Sequence, residues 1–173
     1  MRRIVATASL GLWLAGLAAT AQAQVVAFGA SNVAGRGVSR VEAFPAQLEG
    51  ILRAQGYAVA VTNAGVSGDG SRQMLARFDA AIPAGTRVVI LDIGGGMWND
   101  ARLHVDYAVG VADFTTMKAK LRARAIAIVD LDTNRDMPPQ FIQPDHIHLT
   151  AEGHRLLAER LAPQVIAALN ETK

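Results

Sequence analysis

The chain has 173 residues and no cysteine, with 17 Lys and Arg against 15 Asp and Glu. Without cysteine there is no disulfide framework, no thiolate metal site and no cysteine nucleophile. Arg2 and Arg3 lie in an amino-terminal stretch that holds no acid, so the rest carries 17 − 2 = 15 basic and 15 acidic residues, leaving no basic excess to hold nucleic acid or an anionic membrane.

Residues 1–23 read as a cleaved secretory signal. Arg2 and Arg3 form a positive n-region, residues 4–17 are mostly apolar, and Ala21-Gln22-Ala23 offers a small-x-small cleavage site. The apolar stretch is short for a membrane span of about 20 residues. The expectation is a periplasmic or secreted protein with no stable membrane anchor after cleavage. Residues 24–173 then suit a single domain with a real core.

Along that domain, residues 25–29 form a short apolar run ending at Gly29, which predicts a buried strand. Residues 42–55 place Phe44, Leu48, Ile51 and Leu52 at helical spacing, closed by Gly56. Residues 57–62 read as a second strand, ended by a turn at Asn63-Ala64-Gly65. Residues 71–82 are helical through Met74, Leu75, Phe78 and Ile82, with Pro83 as the stop. Residues 87–93 form the clearest strand and run into three glycines, Gly94 to Gly96. A helix within 106–124 and a strand at 125–131 follow. Thr150 then caps a helix through Leu161, where Pro163 must kink it or start another.

Strand and helix alternate, and the strands are apolar on both faces. That pattern predicts a parallel sheet covered by helices on both sides. Functional groups in such sheets gather at the carboxyl ends of strands, where Ser31, residues 63–69 and residues 94–100 all fall.

The chemistry-bearing residues lie far apart. Ser31 stands where the first strand runs out, and Asp145 precedes His148 by three residues just ahead of the last helix. If the fold joins them, they supply a nucleophile, a base and an acid that orients the base. Ser31 could instead cap the following turn. His146 has the wrong spacing and reads as solvated, while His104 and His154 lie in polar segments and read as surface groups. A metal site at Asp145, His146 and His148 lacks an evident further ligand. Trp98 and Met97 either line a substrate mouth or anchor a loop on the core. The glycines after the first strand lack the Gly-Lys-Ser/Thr ending of a phosphate loop, and Ser31 replaces the second glycine of a dinucleotide fingerprint. No Gly-x-Ser-x-Gly elbow is present.

These segments resemble the sequence blocks of the SGNH (GDSL-type) serine hydrolases. Phe-Gly-Ala-Ser-Asn at 28–32 is similar to the nucleophile block, with Ala30 where the family usually has aspartate. Asn63-Ala64-Gly65-Val66-Ser67-Gly68-Asp69 is similar to the second block, and Asp145-His146-Ile147-His148-Leu149-Thr150 to the last. The resemblance implies a three-layer α/β/α sandwich of flavodoxin-like type, with a short, mostly parallel sheet of four to five strands. It implies Ser31 as nucleophile, His148 as general base and acid, and Asp145 as the group that orients the imidazole. Oxyanion donors would be the backbone N–H groups of Ser31 and Gly68 and an asparagine side chain from the third block. Gly94-Gly95-Gly96-Met97-Trp98-Asn99-Asp100 matches that block with Gly96 at the asparagine position if no gap is allowed. A two-residue insertion instead recovers Asn99-Asp100, and Asn99 is then the donor. The implied activity is hydrolysis of a small-molecule or acylated ester without metal or organic cofactor. A non-catalytic relative that binds an acylated glycan or lipid is the competing reading, and a carbohydrate O-deacetylase or thioesterase is a further one.

Overall fold

A computed structural model describes residues 25–131 and 137–171. The signal read at 1–23 lies outside the described residues. Four parallel strands, β1 (Val25–Gly29), β2 (Val61–Gly65), β3 (Val88–Asp92) and β4 (Ala127–Leu131), form one sheet in the order β2-β1-β3-β4. Six helices connect and follow them: α1 (Ser31–Ala34), α2 (Phe44–Ala54), α3 (Ser71–Ala81), α4 (Ile93–Arg102), α5 (Tyr107–Ala123) and α6 (Ala151–Glu171). Among the described residues no helix is long and apolar enough to cross a membrane.

Side chains alternate across the central strands, so each strand feeds two cores. Val25, Ala27, Val88 and Ile90 pack against Leu48 and Leu52 of α2 and Leu157, Leu161 and Val165 of α6. Val26, Phe28, Val89 and Leu91 pack against Met74 and Phe78 of α3 and Phe114, Met117 and Leu121 of α5. This is the expected sandwich, with the smaller of the strand numbers allowed. Successive strands run outward in opposite directions from β1, which opens a crevice at the carboxyl ends of β1 and β3.

Three elements depart from the sequence reading. The second strand lies at Val61–Gly65 rather than 57–62, so Asn63 belongs to the ladder opposite Ala27 instead of to a turn. β2 pairs only with β1 and its middle residues face solvent, so the apolar run before it marks core packing by Val59, not the hydrogen-bonded stretch. The three glycines after β3 lie in helix α4. The Asp92 carboxylate caps that helix by accepting the Gly95 N–H at 2.9 Å, a local contact that offsets poor glycine propensity. Finally, α6 is one helix through Pro163. Pro163 is exposed, while Leu157, Leu161, Val165 and Leu169 around it are buried. Several leucine-sized burials at about 1.5–3 kcal/mol each outweigh a proline cost of about 3 kcal/mol. The expected cap is present: Thr150 Oγ1 accepts the Gly153 N–H at 3.1 Å.

Candidate active site

Ser31 is the first residue of α1, immediately beyond β1, where its backbone N–H has no partner within the helix. The chain can turn this sharply because Gly29 leaves room for a neighbour: a Cβ there would lie 2.3 Å from Asp92 Cβ. Asp92, fully buried at the end of β3, accepts the Ala30 N–H at 3.2 Å with the carboxylate that also caps α4. The serine turn and the third-block helix are therefore fixed to one carboxylate.

Residues 141–150 bring the histidine to the serine. Thr150 N–H reaches Phe141 O and Gln143 N–H reaches His148 O, closing a narrow loop. Within it, His146 adopts a left-handed backbone (φ 59°). Asp145 Oδ1 accepts the N–H groups of both Ile147 and His148 at 3.0 Å. That turn aims two side chains three residues apart in the same direction. His148 Nδ1 lies 2.5 Å from Asp145 Oδ2, and His148 Nε2 lies 2.9 Å from Ser31 Oγ.

His148 is buried, whereas the Asp145 side chain is 45% exposed. The hydrogen bond from His148, followed by the two backbone N–H bonds, holds the Asp145 carboxyl well below its ordinary range. Asp145 is thus ionised at neutral pH and favours the imidazole tautomer that carries its proton on Nδ1. Nε2 is then left as a lone pair facing the serine hydroxyl.

In front of Ser31 lies a cavity of about 480 Å³, lined among others by Gly68, Trp98, Asn99, Ile147 and His148. Gly68 has φ 91° and no atom within 4 Å of where a Cβ would sit. That left-handed conformation calls for glycine here. Asn99 Nδ2 donates to Asp69 O at 2.8 Å, and Asp100 Oδ1 accepts the Ser71 N–H at 2.8 Å. The Asn-Asp pair at 99–100 thus ties the third block to the second. Gly96 faces the other way: a Cβ there would lie 2.5 Å from Phe114 and 3.0 Å from Met74, inside the core. Of the two alignments of this block, the geometry puts Asn99 at the cavity.

The neighbouring candidates divide. Trp98 lines the cavity and is exposed, whereas Met97 packs on the α3–α5 core. His104 and His146 are exposed, and His146 also lines the cavity. His154 contradicts its surface assignment. It is fully buried on the inner stripe of α6, with Nδ1 accepting the Phe44 N–H at 3.3 Å. A histidine one turn before Leu157 and Ala158 follows their face, and the polar residues around it in sequence point outward.

Two residues that sequence reasoning did not assign hold the loop. Asn32, beside Ser31, donates to Ile147 O at 3.2 Å and accepts the Leu149 N–H at 3.1 Å, gripping the peptides on either side of His148. Gln143 Nε2 donates to Leu149 O and to Arg36 O at 2.7 and 2.9 Å. The position of Asn32 next to Ser31 is the one sequence signal that pointed to it. Among the described residues no group of three or more His, Cys, Asp or Glu is placed to hold a metal ion.

Comparison with known proteins agrees with this fold. The model of the GDSL-like Lipase/Acylhydrolase family matches residues 27–141, well over half of the chain. Asp145 and His148 lie beyond that match. No curated protein matches in sequence. Among solved structures, the psychrotrophic esterase EstA from Pseudoalteromonas sp. is 16% identical with a TM-score of 0.73, over 84% of this chain and 98% of that one. TesA is 22% identical with a TM-score of 0.72, over 83% and 98%. AlinE4, an SGNH-hydrolase family esterase, is 27% identical with a TM-score of 0.61, over 86% and 97%.

Proposed function

Because the chain belongs to the GDSL-like lipase/acylhydrolase family, a family of ester-bond hydrolases, we propose that it is an exported serine esterase working through Ser31, His148 and Asp145. The observation that carries this reading is the unbroken line from Asp145 Oδ2 through the His148 ring to Ser31 Oγ. His148 Nε2 takes the proton of the Ser31 hydroxyl as its oxygen attacks the ester carbonyl. The resulting oxyanion is met by the N–H groups of Ser31 and Gly68 and by Asn99. One amide hydrogen of Asn99 is held by Asp69 O, and the other is left for the substrate. The tetrahedral adduct collapses as His148 passes the proton to the leaving alcohol, giving an acyl-Ser31 ester. Water, deprotonated by the same nitrogen, then attacks that ester, releases the acid and restores the serine. Asp145 stabilises the imidazolium that forms in each half without taking its proton.

No step requires a metal or an organic cofactor. The substrates are small-molecule or acylated esters, with carbohydrate O-acetyl groups and thioesters as variants for a substrate panel. Export rests on the character of residues 1–23 and is read out by the amino terminus of the mature protein, expected at Gln24.

Ser31→Ala should abolish hydrolysis of short p-nitrophenyl esters by the purified domain; equal rates for both proteins would remove the assignment. The EstA structure was obtained inhibited by monoethylphosphonate, and a fluorophosphonate should likewise label Ser31 here. A protein that binds acylated ligands but takes no label is instead the non-catalytic module.

A further inference from the structure

The cavity in front of Ser31 is charged in one sense. Arg36, in the turn after α1, and Arg102, in the last turn of α4, both line it, whereas among the described residues no aspartate or glutamate does. The carboxylates next to its lining residues in sequence are engaged elsewhere: Asp145 by His148 Nδ1 and two peptide N–H groups, Asp69 by Arg77, and Asp100 by the Ser71 N–H. Elsewhere on the molecule Arg77 holds Asp69, Arg53 holds Glu49 and Arg124 holds the Ile82 carbonyl. Among the described residues, no such partner faces the guanidinium of Arg36 or Arg102. Beside the catalytic groups, the wall also offers apolar surface. Trp98 and Leu103 are 56% and 46% exposed and line the same cavity, with Ile147 near His148.

Two exposed cations and a half-exposed indole, with no anion among the described residues, form an amphipathic mouth. A guanidinium on a water-filled rim forms forked, charge-assisted hydrogen bonds with a carboxylate or phosphate and offers nothing comparable to a neutral ester. We propose that the pocket selects esters that carry an anionic group, a carboxylate or a phosphate, bound by Arg36 and Arg102, while an apolar part of the same molecule lies on Trp98 and Leu103. This rests on the esterase reading for its chemistry and adds the class of substrate. The anion takes no part in bond making: water still divides the ester into acid and alcohol at Ser31.

The test compares matched pairs that differ in one charge. On the alcohol side these are 4-butyryloxybenzoate and its methyl ester, with 4-butyryloxyphenyl phosphate as the phosphate arm. On the acyl side they are monoethyl and diethyl adipate. kcat/KM is measured for the wild type, Arg36→Gln, Arg102→Gln and the double variant, so intrinsic reactivity cancels in the anionic-to-neutral ratio. That ratio should fall about tenfold in the double variant and a few-fold in each single one, the scale of partly exposed ion pairs. About 0.5 M NaCl should compress it in the wild type and not in the double variant. A parallel measurement of Kd for 4-butyramidobenzoate and the neutral 4-butyramidobenzamide, neither of which is an ester, reads anion recognition without turnover. Hydrolysis with the same ratio in all four proteins overturns the proposal and leaves the esterase intact. Preferential binding of the anion, lost in the double variant and unaccompanied by hydrolysis, upholds the anion site and sinks the esterase reading.

Discussion

Acidification should unfold this protein through His154. Its Nδ1 accepts the N–H of Phe44, the first residue of α2, and its ring is stacked 6.4 Å from the Phe44 ring. Its Nε2 is sealed from solvent without a partner. An accepting Nδ1 is unprotonated, so the folded ring is neutral, with its hydrogen on Nε2. A second proton would set donor against donor and leave a charge in apolar surroundings at the positive end of α2. Burial is the largest cause that lowers its pKa from the ordinary 6.5 to about 4, with His148 adding to the effect and Glu42 opposing it. The unfolded chain therefore takes up the proton first. Stability from this group is complete above about pH 6.5 and is lost as pH falls toward about 4. The gap between 6.5 and about 4, at about 1.4 kcal/mol per pH unit, amounts to about 3 kcal/mol. Urea unfolding of the wild type and His154→Gln across this range measures it. All other titrating groups are common to both proteins. The wild-type slope should exceed that of the variant by about 1.4 kcal/mol per unit. Parallel curves would refute the reasoning.

Three further outcomes follow from contacts described above. Asn32→Ala removes the bonds to the Ile147 carbonyl and to the N–H of the buried Leu149, so stability should fall by about 1–3 kcal/mol on denaturant unfolding. With the His148 loop released, kcat should fall more than KM rises in ester hydrolysis. Gly65→Ala would place a Cβ 2.2 Å from the backbone nitrogen of Ala34, which cannot rotate away. The expected loss is about 3 kcal/mol or more, visible as a lowered urea midpoint. Asn99→Ala should lower kcat about 10²–10³-fold with little change in KM, and Gly96→Asn should not restore it, because position 96 faces Phe114 and Met74. A full rate in Asn99→Ala would remove that side chain from the oxyanion site.

Much of the fold was legible because periodicity is local. Phe44, Leu48 and Leu52 recur at helical spacing, and residues 88–91 form an unbroken apolar run, so α2 and β3 were found within a residue or two. The signal failed where a side-chain cap or tertiary packing overrode propensity. Glycines 94–96 are poor helix formers, and only the Asp92 carboxylate made them the first turns of α4. Pro163 reads as a break, yet packing on both sides of it carries α6 through. The polar neighbours of His154 suggested solvent, but the angle of α6 on α2 put the ring inside.

The sequence by itself settled the four strands and the helices α2, α3, α5 and α6, and which residue types stand at the ends of β1 and β2 and ahead of α6, because apolar spacing and turn chemistry act over a few residues. Only tertiary structure decided that Ser31 and His148 come within hydrogen-bonding distance. It also decided that Asn99 rather than Gly96 meets the cavity, and that two arginines share its wall. Those facts depend on the crossing of strands and on one loop gripped by Asn32. Contacts between positions more than a hundred residues apart leave no periodic trace in a chain.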